Sequence, residues 1–446
     1  MNTHQRKAKG STLMAGFKWP MNRLGHLLPV VCCLLLVSIP GCVSYVPVGG
    51  GDNFAYLYGK GAAAVRLQAR VYHSSGSRST IWFKLRTQDL LYKNNGGGGP
   101  FRAKVLLKYE AYPTIGSTQL LDSASTFVKD TSEDPSEDKE LIGSMDMKRN
   151  DQRSFVLKIT ARDLNRDTES TVFIPVERSV PGHRQGFLPL TEQGVPLFDD
   201  NVPAGTHVRV LCEQYAGHTL IAEHLETPVK LPMPVFTTSG ERPAVRVDSV
   251  YTTRVSEDGS FEFTADSSGF HHFRIDTAST TGFTLFTFSS SYPTVRSSPD
   301  MVPPLRYITS LQEWDRITGS ADQRREVEKF WTDAAGGRDR AREAIDAYYS
   351  RVESANRHFS GWTEGWRTDR GLVHIIFGTP NTIRKNGDSE VWTYGEETNL
   401  MSLTFVFEKR IGPYTDNDLV LRRDPNFKTA WYRNVESWRN GRVFQN

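Results

Sequence analysis

The chain reads as mainly β, with an α+β region at its C-terminal end. Three observations predict this. Apolar and polar residues alternate with period two from residue 64 to about 180, and further β-rich stretches continue to about 298. After Ser297 to Pro304, read as a Pro/Ser linker between domains, the period becomes three to four. The expected architecture is two tandem β-sandwiches followed by a small helix-plus-antiparallel-sheet domain. The divisions fall at 1–41, 42–61, 62–180, 181–298 and 299–446.

The first division is a leader. Leu27 to Ile39 is apolar except for Pro29 and Ser38, and Arg6, Lys7, Lys9, Lys18 and Arg23 precede it. About thirteen residues is too short to span a bilayer, which needs roughly 20, and suits the apolar region of a secretory signal. The run ends in Ile39-Pro40-Gly41-Cys42, which resembles the bacterial lipobox. That resemblance implies cleavage after Gly41 and lipidation of Cys42, hence a lipid-anchored envelope protein of a Gram-negative bacterium. Met21 offers a second start with a shorter leader. Several lipoprotein families place acidic residues just after the cysteine as a surface-export instruction. Here Val43-Ser44-Tyr45-Val46 follows, with no acid before Asp52, so the expected location is the outer membrane, periplasmic face.

Loss of residues 1–41 removes five basic and no acidic residues, so net charge falls from +3 to −2 (+3 − 5 = −2). A nearly neutral chain gives no electrostatic reason to expect nucleic acid. Of four cysteines, Cys32 and Cys33 leave with the leader and Cys42 takes the lipid. Cys212 remains alone, which rules out an internal disulfide or a cysteine metal cluster; no metal or cofactor is expected. Residues 42–61 include Gly49-Gly50-Gly51 and read as a tether.

In 62–180 the alternating sets are Val65/Leu67/Ala69/Val71, Ile81/Phe83/Leu85, Ala103/Val105/Leu107/Tyr109, Phe155/Leu157/Ile159 and Val172/Ile174/Val176. Weaker strands fit around 118–129 and 140–148. Seven short strands with turn-rich joints predict an immunoglobulin-like sandwich. A second sandwich of the same type is expected over 181–298. It includes a hairpin from Phe261/Phe263 to Phe273/Ile275 across Asp266-Ser267-Ser268-Gly269. His271 and His272 then point to opposite faces, one to the surface and one to the core, and cannot chelate one ion together.

From residue 305 the helical period takes over. Ser320 with Gln323 suggests a capping box for a helix reaching Trp331. Ala341, Ala344/Ile345, Tyr348, Val352, Ala355 and Phe359 mark a second helix, bounded by Gly336-Gly337 and Gly361. Next comes Gly365-Trp366-Arg367-Thr368-Asp369-Arg370-Gly371, followed by Leu372 to Phe377, read as a strand, and Gly378-Thr379-Pro380. Glu390 to Tyr394 and Leu403 to Glu408 are two further strands.

This segment resembles the GWxTD-domain family of Gram-negative bacterial proteins, whose motif stands here as Gly365, Trp366, Thr368 and Asp369. The resemblance covers roughly 302–446 and includes the Arg370-Gly371 continuation and the Trp392/Tyr394 strand. It implies an exported protein with a β-rich N-terminal region and supplies no catalytic residues. A weaker likeness of element order is to the small lipoprotein subunit of the outer-membrane β-barrel assembly machine.

Two readings of the motif stay open. In the structural one, Asp369 bonds backbone N–H groups at a turn, Gly371 supplies conformational freedom, and Trp366 packs with Arg367 or Arg370 stacked on an aromatic ring. In the functional one, Trp366, Asp369, Arg370 and His374 rim a pocket for a sugar or a carboxylate-bearing peptide. The basic-aromatic tail, 409–446, either packs on the domain or meets an acidic partner or lipid headgroups.

No nucleophile elbow, phosphate loop or metal-protease motif occurs. The function expected is a non-catalytic binding or scaffold lipoprotein of the outer envelope, attached to the membrane by its lipid. Its partner is an envelope protein, in outer-membrane or secretion-complex assembly. The alternative is an envelope hydrolase or transferase acting on polysaccharide or peptide near the motif.

Overall fold

The computed structural model describes residues 53–58, 65–94, 96, 99–148, 153–226, 230–238, 245–265 and 269–443. The leader, Cys42, and the turn residues Asp266, Ser267 and Ser268 lie outside the described residues. Among the described residues no helix is long and apolar enough to cross a membrane.

Seven strands form the first sandwich: β1 (Gln68–His73), β2 (Ser79–Arg86), β3 (Phe101–Tyr112), β4 (Asp122–Ser132), β5 (Glu140–Asp146), β6 (Phe155–Asp163) and β7 (Thr168–Val176). They make a three-stranded sheet, β1-β2-β5, and a four-stranded sheet, β4-β3-β6-β7. All pairings are antiparallel. Alternation does the work: Ile81, Phe83 and Leu85 meet Val105, Leu107, Tyr109, Leu157 and Ile159 in one core.

The second sandwich comprises β8 (Leu188–Leu190), β9 (Asn201–Pro203), β10 (Thr206–Leu211), β11 (Thr219–Glu226), β12 (Arg246–Arg254), β13 (Ser260–Ala265), β14 (Gly269–Arg274) and β15 (Phe283–Phe288). Its sheets are β13-β10-β8 and β12-β11-β14-β15-β9. The expected hairpin is therefore corrected. β13 pairs with β10, whereas β14 pairs with β11 and β15. Phe261 and Phe273 face each other across the sandwich, ring centroids 4.8 Å apart. Alternation reports which face is buried and not which neighbour a strand takes.

The histidine expectation needs correcting too. His271 and His272 point to opposite faces, yet both are buried. One face of β14 packs in the sandwich, where the His271 ring lies 4.9 Å from that of His224. On the other face the C-terminal domain covers it, with Tyr414 5.0 Å from His272. That second face also joins Leu225, Phe270, Phe286 and Phe288 to Trp362.

Ser297 to Pro304 is not a spacer. Ser297 and Asp300 form a capping box for α1 (Ser298–Met301). The turn Pro303–Tyr307 then buries Pro304 and Leu305.

Four more helices follow: α2 (Leu311–Gly319), α3 (Gln323–Ala335), α4 (Arg338–Phe359) and α5 (Asp369–Phe377). They lead into the antiparallel sheet β16 (Thr382–Lys385), β17 (Ser389–Tyr394), β18 (Leu403–Lys409) and β19 (Leu419–Leu421), and α6 (Phe427–Arg439) closes the domain. The capping box lies at Ser310/Glu313 of α2, while Asp322 rather than Ser320 caps α3.

The expected strand Leu372 to Phe377 is the helix α5. All nine of its residues are buried, so no polar face betrays the helical period. In the tail, Trp431 and Trp438 pack into the core, and Trp438 Nε1 donates to the Ile376 carbonyl (3.2 Å).

The tether expectation ends early. Residues 53–58 dock on the C-terminal domain: Phe54 N donates to the Ile383 carbonyl (2.9 Å), and the Asn53 side-chain oxygen accepts from Ile383 N (3.0 Å). This arm covers the free edge of β16. Phe54 and Tyr58 join the core that holds Phe359 and Trp392. The C-terminal domain is thus not held away from the N-terminal arm by the two sandwiches.

Candidate functional site

The motif begins as a close packing joint. A β-carbon on Gly365 would lie 2.0 Å from the Ala355 carbonyl oxygen on α4, and one on Gly371 would lie 2.0 Å from the Gly365 carbonyl oxygen. Only glycine lets these backbones approach so closely. Trp366 is buried, its backbone N–H donates to Asn356 Oδ1 (3.1 Å), and its ring meets Tyr307 edge-on at 5.9 Å. The Tyr307 hydroxyl donates to the Trp366 carbonyl (2.8 Å). Arg367 stacks over the Trp366 ring at 4.5 Å.

Thr368 is the N-cap of α5. Its hydroxyl oxygen accepts from Gly371 N (3.0 Å), and its hydroxyl donates to the Gly365 carbonyl (2.8 Å). Asp369 is the first helical residue, where a negative charge suits the helix dipole. One oxygen accepts from Leu421 N (2.8 Å), and the carboxylate pairs with Arg423 at 2.6 Å. The motif therefore ties α4, α5 and β19 together.

Arg370 points the other way, into a buried ionic cluster. Its guanidinium donates to Glu390 Oε1 (3.1 Å) and to the Asn417 carbonyl (2.8 Å), and lies over the Phe359 ring at 5.0 Å. Glu390 also accepts from Trp392 Nε1 (3.0 Å), pairs with Lys385 (3.1 Å), and accepts from the Tyr58 hydroxyl (3.4 Å). Lys385 donates to the Tyr58 oxygen. Burial pushes the Glu390 carboxyl up, but Arg370 and Lys385 outweigh it and hold it below its ordinary value. Burial, reinforced by Glu390, raises the Tyr58 phenol.

His374 is enclosed, with the Phe359 ring edge-on at 5.6 Å and no hydrogen-bond partner for Nδ1 among the described residues. Burial, with Arg351 and His358 adding to it, pushes its pKa down to about 3, so the ring is neutral near pH 7. Tyr394 is buried and donates to the Gly378 carbonyl (2.8 Å).

A cleft of about 100 Å³ opens beside the motif. Its charged lining is Lys230, Arg367, Arg410 and Arg423 against Asp369 and Asp418. Of the four residues expected to rim a pocket, only Asp369 reaches it; Trp366, Arg370 and His374 are internal. Asp369, Arg370 and His374 do not converge on one cleft. Sequence reading passed over Lys230, Arg410 and Arg423; the basic excess of the tail was a trace of the two arginines, and nothing marked Lys230. Among the described residues no group of three His, Cys, Asp or Glu side chains is placed to hold a metal ion.

Residues 269–440 match the family model described as the GWxTD domain. The match starts at β14, inside the second sandwich. No curated protein matches the chain significantly. Solved structures with local similarity include a Bacteroides uniformis beta-glucuronidase, 13% identical over 24% of this chain and 13% of that one (TM-score 0.16). The major pilin subunit BcpA of Bacillus cereus is 10% identical over 47% of this chain and 58% of that one (TM-score 0.14). CBD12 from CALX1.2 is 13% identical over 47% of this chain and 83% of that one (TM-score 0.12).

Proposed function

We propose that this chain, which carries a GWxTD domain over residues 269–440, is a lipid-anchored outer-membrane protein of a Gram-negative bacterium, working as a non-catalytic binding or scaffold module. The leader and Ile39-Pro40-Gly41-Cys42 support the anchor. The observation that carries the binding reading is where the motif's side chains go. Thr368, Asp369 and Arg370 are committed to internal partners, and the cleft beside them carries four cationic and two anionic side chains, a balance of +2. Guanidinium groups at a partly enclosed cleft suit a carboxylate or another anionic group on a protein partner. Assembly of an outer-membrane or secretion complex is the setting that fits such a module.

The test is fractionation and co-purification from detergent-solubilised membranes. Wild-type protein is expected in the membrane fraction with a reproducible protein partner. Cys42→Ala is expected in soluble fractions, or with an uncut leader. Normal cleavage before residue 42 with unchanged membrane fractionation in that variant would overturn the anchor. Release of a small-molecule product from envelope polysaccharide or peptide, with no protein partner, would overturn the binding role.

A further inference from the structure

The loop joining β17 to β18 carries Leu400 and Met401 side by side, and both are essentially fully exposed (101% and 90%). Large apolar side chains so completely in water at a hairpin tip call for an occupant. The position of the arm points to which one. The Asn53 side-chain N–H donates to the Asn381 carbonyl (2.8 Å), and the Asn381 side-chain oxygen accepts from Gly395 N (2.6 Å), where that loop begins. The point at which the chain joins the domain from its N-terminal side and the apolar tip therefore lie at the same end of the sheet.

We infer that this end of the GWxTD domain faces the membrane, with Leu400 and Met401 seated in the lipid headgroup region. The inference rests on the lipid anchor proposed above. From Cys42 to Asn53 there are eleven residue steps, which reach at most about 40 Å in any conformation. Two apolar side chains alone bind a bilayer weakly. A tether of this length makes the contact intramolecular, at an effective concentration on the order of mM. Ile411 is equally exposed (93%) but follows β18 at its far end, about 23 Å away along the seven-residue strand. It is the internal control. The cationic cleft, lined by Arg410 and Asp418, lies at that far end and faces away from the lipid.

The experiment uses the full lipidated chain with Cys212, which is buried, replaced by Ala. Leu400→Cys, Met401→Cys and Ile411→Cys each carry an environment-sensitive fluorophore. The proteins are reconstituted in phosphatidylcholine–phosphatidylethanolamine vesicles containing brominated lipid. Labels at 400 and 401 are expected to be quenched at least twofold, and the label at 411 to be unaffected. Vesicle flotation with no quenching at 400 and 401, or with quenching at 411 instead, overturns the orientation while leaving the anchor standing. Failure to float overturns the anchor and this inference with it. Leu400→Glu combined with Met401→Glu should still float while a label at Asn399→Cys loses its quenching; retained quenching there would mean the apolar tip is not what seats the loop.

Discussion

Tyr58 and Glu390, 332 residues apart in the chain, meet with the phenol hydroxyl 3.4 Å from the carboxylate. The contact closes a buried ionic cluster in which Arg370 and Lys385 share one carboxylate. It also makes the N-terminal arm part of the C-terminal domain.

That cluster should be sensitive to loss of its single anion. Glu390→Gln leaves two largely buried cations without their counter-charge and is expected to cost about 3–5 kcal/mol. Tyr58→Phe keeps the ring but removes two hydrogen bonds, to Glu390 and from Lys385, and should cost about 1–3 kcal/mol. Denaturant melts at pH 7 rank them. Equal midpoints for Glu390→Gln and wild type would mean that the cluster does not hold the fold.

Trp366→Ala should cost about 3–5 kcal/mol, because the ring is buried between Tyr307 and Arg367. Asp369→Asn keeps an acceptor for Leu421 N but loses charge complementarity with Arg423, so it should fall between wild type and Asp369→Ala. A double-mutant cycle of Asp369→Ala with Arg423→Ala is expected to show coupling of about 1 kcal/mol or more. Additive effects would mean the ion pair is incidental.

Acid should weaken the fold from below pH 6.5 onward. His374 has a folded pKa of about 3 against an ordinary 6.5, set by burial first and then by Arg351 and His358. Its neutral form is the one the fold accepts, so its contribution is complete above pH 6.5 and is lost as pH falls toward 3. Such a group adds a slope of up to about 1.4 kcal/mol per pH unit within that window. His374→Leu should flatten the pH dependence of unfolding free energy between pH 6 and 4. Glu313, whose pKa the Arg439 guanidinium lowers to about 2, should act only below its ordinary 4.5. An unchanged slope in His374→Leu would contradict the enclosed neutral ring.

Strands with one buried face were legible because period two survives in β3, β6 and β7. Their partners were less so: Phe261/Phe263 and Phe273/Ile275 alternate in the same way whether β13 and β14 form a hairpin or face each other across a sandwich. α5 was misread because burial all round erases helical periodicity, and the Thr368 cap was the only local sign of its start. The GWxTD motif was legible as a motif, but its neighbours were not. Arg423, Asn417 and Glu390 come to it from strands and loops remote in sequence, and Tyr58 from an arm that glycine content marked as tether. Ser297 to Pro304 shows the reverse error: proline there starts packed turns instead of separating domains.

On the function proposed above, the motif holds the fold while the cationic cleft beside it meets the partner. The most direct measurement pairs a denaturant melt with partner capture for Lys230→Glu combined with Arg410→Glu, both at the cleft and outside the motif. The expected result is a melt within about 0.5 kcal/mol of wild type and loss of capture by tenfold or more. Full capture by a normally folded double variant would contradict it.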